Sequence, residues 1–131
     1  MSESGGEFDE ARDIPTLTMK AAACGCELIV ADARTLLLDL DDDVSLDAFH
    51  KNLDVLRNHA PFTLTINDQW TSKGGNTHIV VGIDRDTPIA ERCLLQAILG
   101  SDRTREALTM ARYRTYGDDI IALFKPIKED A

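Results

Sequence analysis

The chain has 131 residues, of which 44% are apolar and 28% charged, and it carries a net charge of −9. That length suits one domain with one core and is short for two, and the composition excludes the disordered class. No apolar run approaches the roughly 18 residues of a membrane-spanning helix, and the acidic excess argues against tight, unaided nucleic-acid binding, which draws on clustered Lys and Arg.

Residues 1–15 read as a disordered acidic tail of Ser, Gly and carboxylates. This start lacks the basic beginning and apolar centre of a secretory signal, so a cytoplasmic location is the expectation. Residues 16–126 are expected to form a single α+β domain, with 127–131 as a C-terminal tail. The stretch "TLTMKAAACGCELIVADA" mixes alanines that suit a helix with "CELIV", which suits a strand. One short element on the domain edge is expected there. Cys24, Cys26 and Cys93 are an odd set, which argues against a disulfide framework. "CGC" finds no second half at zinc-ligand spacing, so the thiols read as small packed hydrophobes.

From Thr35 the signals sharpen. "TLLLDL" has the length and apolar run of a strand buried on both faces. Ser45 can cap a helix that carries Leu46, Phe49, Leu53 and Leu56 at helical spacing and stops before Pro61. "FTLTINDQW" and "THIVVGI" read as strands joined by the Gly-Gly turn in "SKGGN". Thr87-Pro88 opens a helix bearing Ile89, Cys93, Leu94, Ala97 and Ile98, which breaks at Gly100. A further helical piece spans about Arg103 to Arg112, and "DIIALF" is the last strand. Strand, helix, strand, strand, helix, strand is the βαββαβ, ferredoxin-like order. It predicts one four-stranded antiparallel sheet with both helices on one face. Leu36, Leu38, Leu40, Phe49, Leu53, Leu56, Ile79, Val81, Leu94, Ile98 and Leu123 are the expected core.

Three places can carry chemistry. Asp39 and Asp41 lie two apart at a strand end, so their carboxylates share a face. Two anions that close raise each other's pKa unless a cation sits between them, and Mg²⁺ or Mn²⁺ is the usual hard-oxygen solution. The alternative is a solvated acidic turn capping the next helix. Second, in "SKGGNTH" the glycines at Gly74 and Gly75 allow close backbone approach, while Ser72 and Lys73 offer a hydroxyl and a cation suited to phosphate. His78 follows in the strand, with Asn76 on its face by period two. The alternative is an ordinary hairpin turn with a half-buried histidine. Third, Asp102 follows a glycine break, where it either supplies a third carboxylate or caps the helix behind it. Arg105 and Arg112, seven apart on one helical face, supply positive charge.

Together these places resemble the archaeo-eukaryotic primase (primase-polymerase) superfamily. The resemblance lies in a hydrophobic strand ending in Asp-x-Asp ("LLLDLD"), a Ser-Lys-Gly turn leading to a strand histidine ("SKGGNTHIVV"), and a later acid with arginines behind it ("LGSD"). It covers about Leu36 to Pro126. It implies a catalytic core with a ferredoxin/RRM-like sheet and nucleotidyl transfer onto a DNA or RNA primer. Asp39, Asp41 and Asp102 would be catalytic and hold the divalent metals. Ser72, Lys73, Gly74, His78, Arg105 and Arg112 would contact the incoming nucleoside triphosphate. Asp118 and Asp119 stand as rivals for the third acid. The implied partners are nucleoside triphosphates and a single-stranded DNA template, the latter with help from another protein. The other class of function is a catalytically inactive ferredoxin-like module, a replication accessory that keeps a nucleotide pocket or turns its acidic face to a basic protein.

Overall fold

A computed structural model describes residues 12–127. The first eleven residues of the expected N-terminal tail and residues 128–131 of the C-terminal one lie outside the described residues. Helix α1 (Ile14–Ala23) begins within the stretch expected to be tail. The Asp13 carboxylate accepts the Thr16 N–H at 2.7 Å and Pro15 sits in the first turn, two ordinary starting devices. Gly25, at φ +73°, turns the chain into β1 (Cys26–Val30). The stretch expected to hold one element therefore holds a helix and a strand, because the glycine reverses the chain between them.

Strand β2 (Thr35–Leu40) leads into α2 (Asp43–His59). This helix is capped by Asp42, whose carboxylate accepts the Ser45 N–H at 2.8 Å, so it starts earlier than a Ser45 cap implies. Strands β3 (Leu64–Thr71) and β4 (Thr77–Ile83) form the hairpin. Helix α3 (Ile89–Ile98) follows Pro88. Helix α4 (Arg103–Tyr116) is capped by Asp102 and ends at Gly117, at φ +75°. Strand β5 (Ala122–Pro126) closes the described chain.

The class is α+β, but the strands form two antiparallel sheets, β2-β4-β3 and β1-β5. The expected four-stranded ferredoxin-like sheet is thus corrected: β5 pairs with β1, from Cys26 opposite Pro126 to Val30 opposite Ala122. The physical reason lies at the free edge of β2, which the α3–α4 segment fills with polar groups.

The placing of both helices on one sheet face is corrected as well. Leu36, Leu38 and Leu40 of β2, with Ile79, Val81 and Ile83 of β4, pack on Phe49 and Leu53 of α2. Leu37, on the opposite face, packs with Ile89 and Cys93 of α3 and with Ile121 and Leu123. A strand that buries both faces needs cover on both, and α3 with the β5 segment supplies the second. Most of the expected core is buried, with Leu56 partly so. Leu94 and Ile98 are the exceptions, at 61% and 40% exposed. The inward side of α3 instead carries Ile89, Arg92, Cys93 and Gln96. Arg92 and Gln96 are buried because they bond backbone: Arg92 Nε donates to the Thr87 carbonyl at 2.9 Å, and the Leu37 N–H donates to Gln96 Oε1 at 3.0 Å. Cys26 is buried like Cys93, whereas Cys24 is exposed. No helix among the described residues is long and apolar enough to cross a membrane.

Candidate functional site

The site is built on the edge of β2. Among the described residues this strand pairs with β4 on one side only, so on the other side its backbone groups need partners. The Asp39 N–H donates to Ser101 Oγ at 3.0 Å. The Asp102 N–H donates to the Asp39 carbonyl at 2.9 Å, and Arg105 Nη1 donates to the Leu37 carbonyl at 2.9 Å. Asp102 is therefore held beside Asp39 as a strand neighbour would be, although it lies between two helices. Its own carboxylate accepts the Thr104 N–H at 3.0 Å, so it caps α4 at the same time.

Glu106 sits behind this edge and is buried. It accepts hydrogen bonds from Gln96 Nε2 at 2.6 Å, Ser101 Oγ at 2.9 Å and Arg105 Nη1 at 2.9 Å. Burial raises the Glu106 pKa, against the opposing pull of Arg105, Ser101 and Gln96. Burial, with Glu106 adding to it, also pushes the Cys93 thiol up to about 12.

On the other side of β2, Asp39 lies directly opposite His78 of β4. His78 Nε2 is 3.2 Å from Asp39 Oδ1, and the Trp70 ring meets the imidazole edge-on at 5.5 Å. Asn76 Nδ2 donates to Asp39 at 3.1 Å and to Asp41 at 3.3 Å. Asp39, Asp41 and Asp102 each offer a carboxylate oxygen within 4.8 Å of the others, and they are the one such acid group among the described residues. Asp118 and Asp119 are not part of it. Burial works to raise the Asp39 pKa, but His78, Asn76 and Arg105 outweigh it and hold it below the ordinary value. Asp41 moves the other way, raised first by desolvation and then by Asp102, Asp39 and Asp42. One carboxylate is thus held ready as an anion, and its neighbour bears the mutual repulsion.

The remaining sequence-predicted residues are spread more widely. Ser72 and Gly74 lie in the β3–β4 turn, where Ser72 Oγ accepts the Asn76 N–H at 3.1 Å. The Lys73 amine donates to the Cys24 carbonyl. Arg105 borders the acids, within electrostatic reach of Asp39. Arg112 is buried farther along α4, its Nε 3.9 Å from Asp118 Oδ2. Sequence reasoning missed Gln96, Ser101 and Glu106. The available signal was a glutamine on the helix face shared with Cys93 and a glutamate one turn after the Asp102 cap.

Three carboxylates are hard oxygen donors, the set that suits Mg²⁺ or Mn²⁺ completed by water and phosphate oxygens. No protein-family model, curated protein or solved structure matches this chain.

Proposed function

We propose that the chain is a minimal primase-polymerase-type nucleotidyltransferase, a divalent-metal-dependent enzyme that makes or extends a DNA or RNA primer from nucleoside triphosphates. The observation that carries this reading is the meeting of Asp39, Asp41 and Asp102 with His78 beside Asp39. Asp39, Asp41 and Asp102 would hold Mg²⁺ or Mn²⁺. When bound, such ions activate an attacking hydroxyl and offset charge on the phosphoryl oxygens. The chain's own residues orient the reactants. His78 and Asn76 fix the Asp39 carboxylate, and the Ser72–Asn76 turn, closed by its own N–H bonds, presents the Ser72 hydroxyl as a donor for a triphosphate oxygen. Lys73 on that turn and Arg105 behind Asp39 supply positive charge.

Within this reading β2-β4-β3 with α2 and α3 is the βαββα portion of a ferredoxin/RRM-like core, from which β5 has turned away. The template is single-stranded DNA, with contacts supplied largely by another protein because the chain carries a net charge of −9. The location that suits this role is the cytoplasm.

One observation favours a second reading. Asn76 already donates to two of the acids, and Arg105 is engaged with Leu37, Ser101 and Glu106. Those bonds suit an inactive replication accessory that turns its acidic face to a basic protein partner.

Calorimetry with Mn²⁺ and a non-hydrolysable nucleoside triphosphate separates the two. Under the first reading the wild type binds the nucleotide only with Mn²⁺. Asp41→Asn loses that binding by more than the ~10–100-fold typical of an outer-shell change, and its melting temperature is unchanged or higher because a like-charge contact is relieved. A wild type that takes up neither Mn²⁺ nor nucleotide rules out the first reading and leaves the second standing.

A further inference from the structure

Gln96, Ser101 and Glu106, none of them given a reactant contact, join Arg105 in a hydrogen-bond circuit behind the acid group. Ser101 Oγ accepts from the Asp39 N–H and Arg105 Nη1 and donates to Glu106 Oε2, which uses the full capacity of a hydroxyl. Gln96 accepts the Leu37 N–H on Oε1 and donates through Nε2 to Glu106 Oε1, so its amide has one workable orientation. Arg105 Nη1, with two hydrogens, shares its bonds among Ser101 Oγ, Glu106 Oε2 and the Leu37 carbonyl. Gln96, Ser101 and Glu106 are at most 4% exposed. With the Asp102 N–H on the Asp39 carbonyl, the backbone groups of Leu37 and Asp39 on this edge are all paired.

We infer that Gln96, Ser101, Arg105 and Glu106 are positioning residues. They stand in for a missing edge strand and set the distance between Asp39 and Asp102, and with it the cation affinity of the acid group. This rests on the metal-binding reading above. An independent feature points to the same place. His78 is only 8% exposed and Nδ1 has no hydrogen-bond partner among the described residues, while Nε2 is 3.2 Å from Asp39. A buried nitrogen left unpaired is costly, so holding the opposite nitrogen against Asp39 is what the fold gains. Asp39 is thus braced from two sides, by the circuit through its backbone and by His78 through its carboxylate. A buried circuit is also sensitive to any mismatch of donor and acceptor, because in a low-dielectric interior an unpaired polar group is costly.

The test titrates Mn²⁺ into the full chain by calorimetry, well below the melting temperature, alongside thermal melts without metal. Ser101→Ala removes the acceptor of the Asp39 N–H with little change of volume. Glu106→Gln sets an amide donor against either Gln96 Nε2 or the Ser101–Arg105 pair. Each variant is expected to weaken Mn²⁺ binding by about 10–100-fold, the range for outer-shell partners. The double variant Gln96→Glu/Glu106→Gln restores the matching, since the new carboxylate accepts from Leu37 and from the new amide. It is expected to bind within a few-fold of wild type. Ile83→Val, in the core at the opposite end of β4, is the control: it should lower the melting temperature and leave Mn²⁺ affinity unchanged. Wild-type affinity in both Ser101→Ala and Glu106→Gln overturns the inference. So does an Ile83→Val affinity that falls in step with melting temperature, because metal binding would then follow global stability. A wild type that takes up no Mn²⁺ overturns both the inference and the functional reading beneath it, and that failure is recognisable before any variant is made.

Discussion

Asp118 is the buried counterpart of the open acids. Its Oδ2 accepts the Arg12 N–H at 2.9 Å and Arg12 Nε at 3.3 Å, and its Oδ1 accepts the Ile120 N–H at 2.9 Å. Arg112 lies on its other side. One carboxylate thus ties Arg12, two residues before α1, to α4 and to the approach to β5. Burial alone would raise its pKa, but these donors prevail and hold it below 3.8. A depressed carboxylate stabilises the fold above its unfolded pKa, and that contribution is lost as pH falls through the lower, folded value. Asp118→Asn should therefore cost about 2 kcal/mol near neutral pH, the scale of a hydrogen bond to a charged group. The gap to wild type should narrow below about pH 4 as the wild type gives up its own charge. Urea unfolding at several pH values reads this directly. A gap that stays constant into acid would show that Asp118 acts through shape, not charge.

Between elements, one close joint is at Gly100, where α3 passes to α4. Its φ is +98°, and a Cβ there would stand 2.8 Å from the Ser45 carbonyl oxygen and 3.5 Å from Leu40. Gly75, in the β3–β4 turn, has a similar φ of +92° but nothing among the described residues within 4 Å of a Cβ. Gly75→Ala should cost only backbone strain, on the order of 1–3 kcal/mol. Gly100→Ala should cost clearly more, because it also drives the α3–α4 turn away from the first turn of α2. Equal losses in denaturant unfolding would mean that the contact with Ser45 yields freely. The elements that were legible in the sequence were those with one dominant signal. "TLLLDL" and "THIVVGI" are apolar runs between turn residues, and Pro61 ends α2. Others were settled by distant partners. Residues 26–30 are a strand because β5 lies alongside them. The rotation of α3 was misread because Arg92 and Gln96 point inward to meet backbone groups, which no apolar period reveals. Where β5 would pair depended on who occupied the β2 edge, a matter of hydrogen bonds between residues some sixty positions apart.

Across the whole molecule the acid group was legible in outline, since period two puts Asp39 and Asp41 on one side and strand pairing sets His78 opposite. Asp102 was named as the third acid and does join them, but its route was not legible, because it depends on that same occupied edge. Charge is the other property of the whole chain. The cations proposed to meet phosphate are partly engaged within the fold: Lys73 on Cys24, Arg105 on the β2 edge, and Arg112 beside Asp118. With a net charge of −9, counterion release on meeting a phosphate backbone is small and long-range repulsion opposes approach. The isolated chain should therefore bind a labelled single-stranded oligonucleotide no better than the ~10⁻⁴–10⁻⁶ M of non-specific contacts at physiological salt. Fluorescence anisotropy over a salt series tests this. The expected signature is weak binding with a shallow dependence on salt, since few phosphates are neutralised. Binding in the nanomolar range with a steep salt slope would mean that Lys and Arg converge on a template path despite the acidic balance, and would remove the argument that another protein supplies the template contacts.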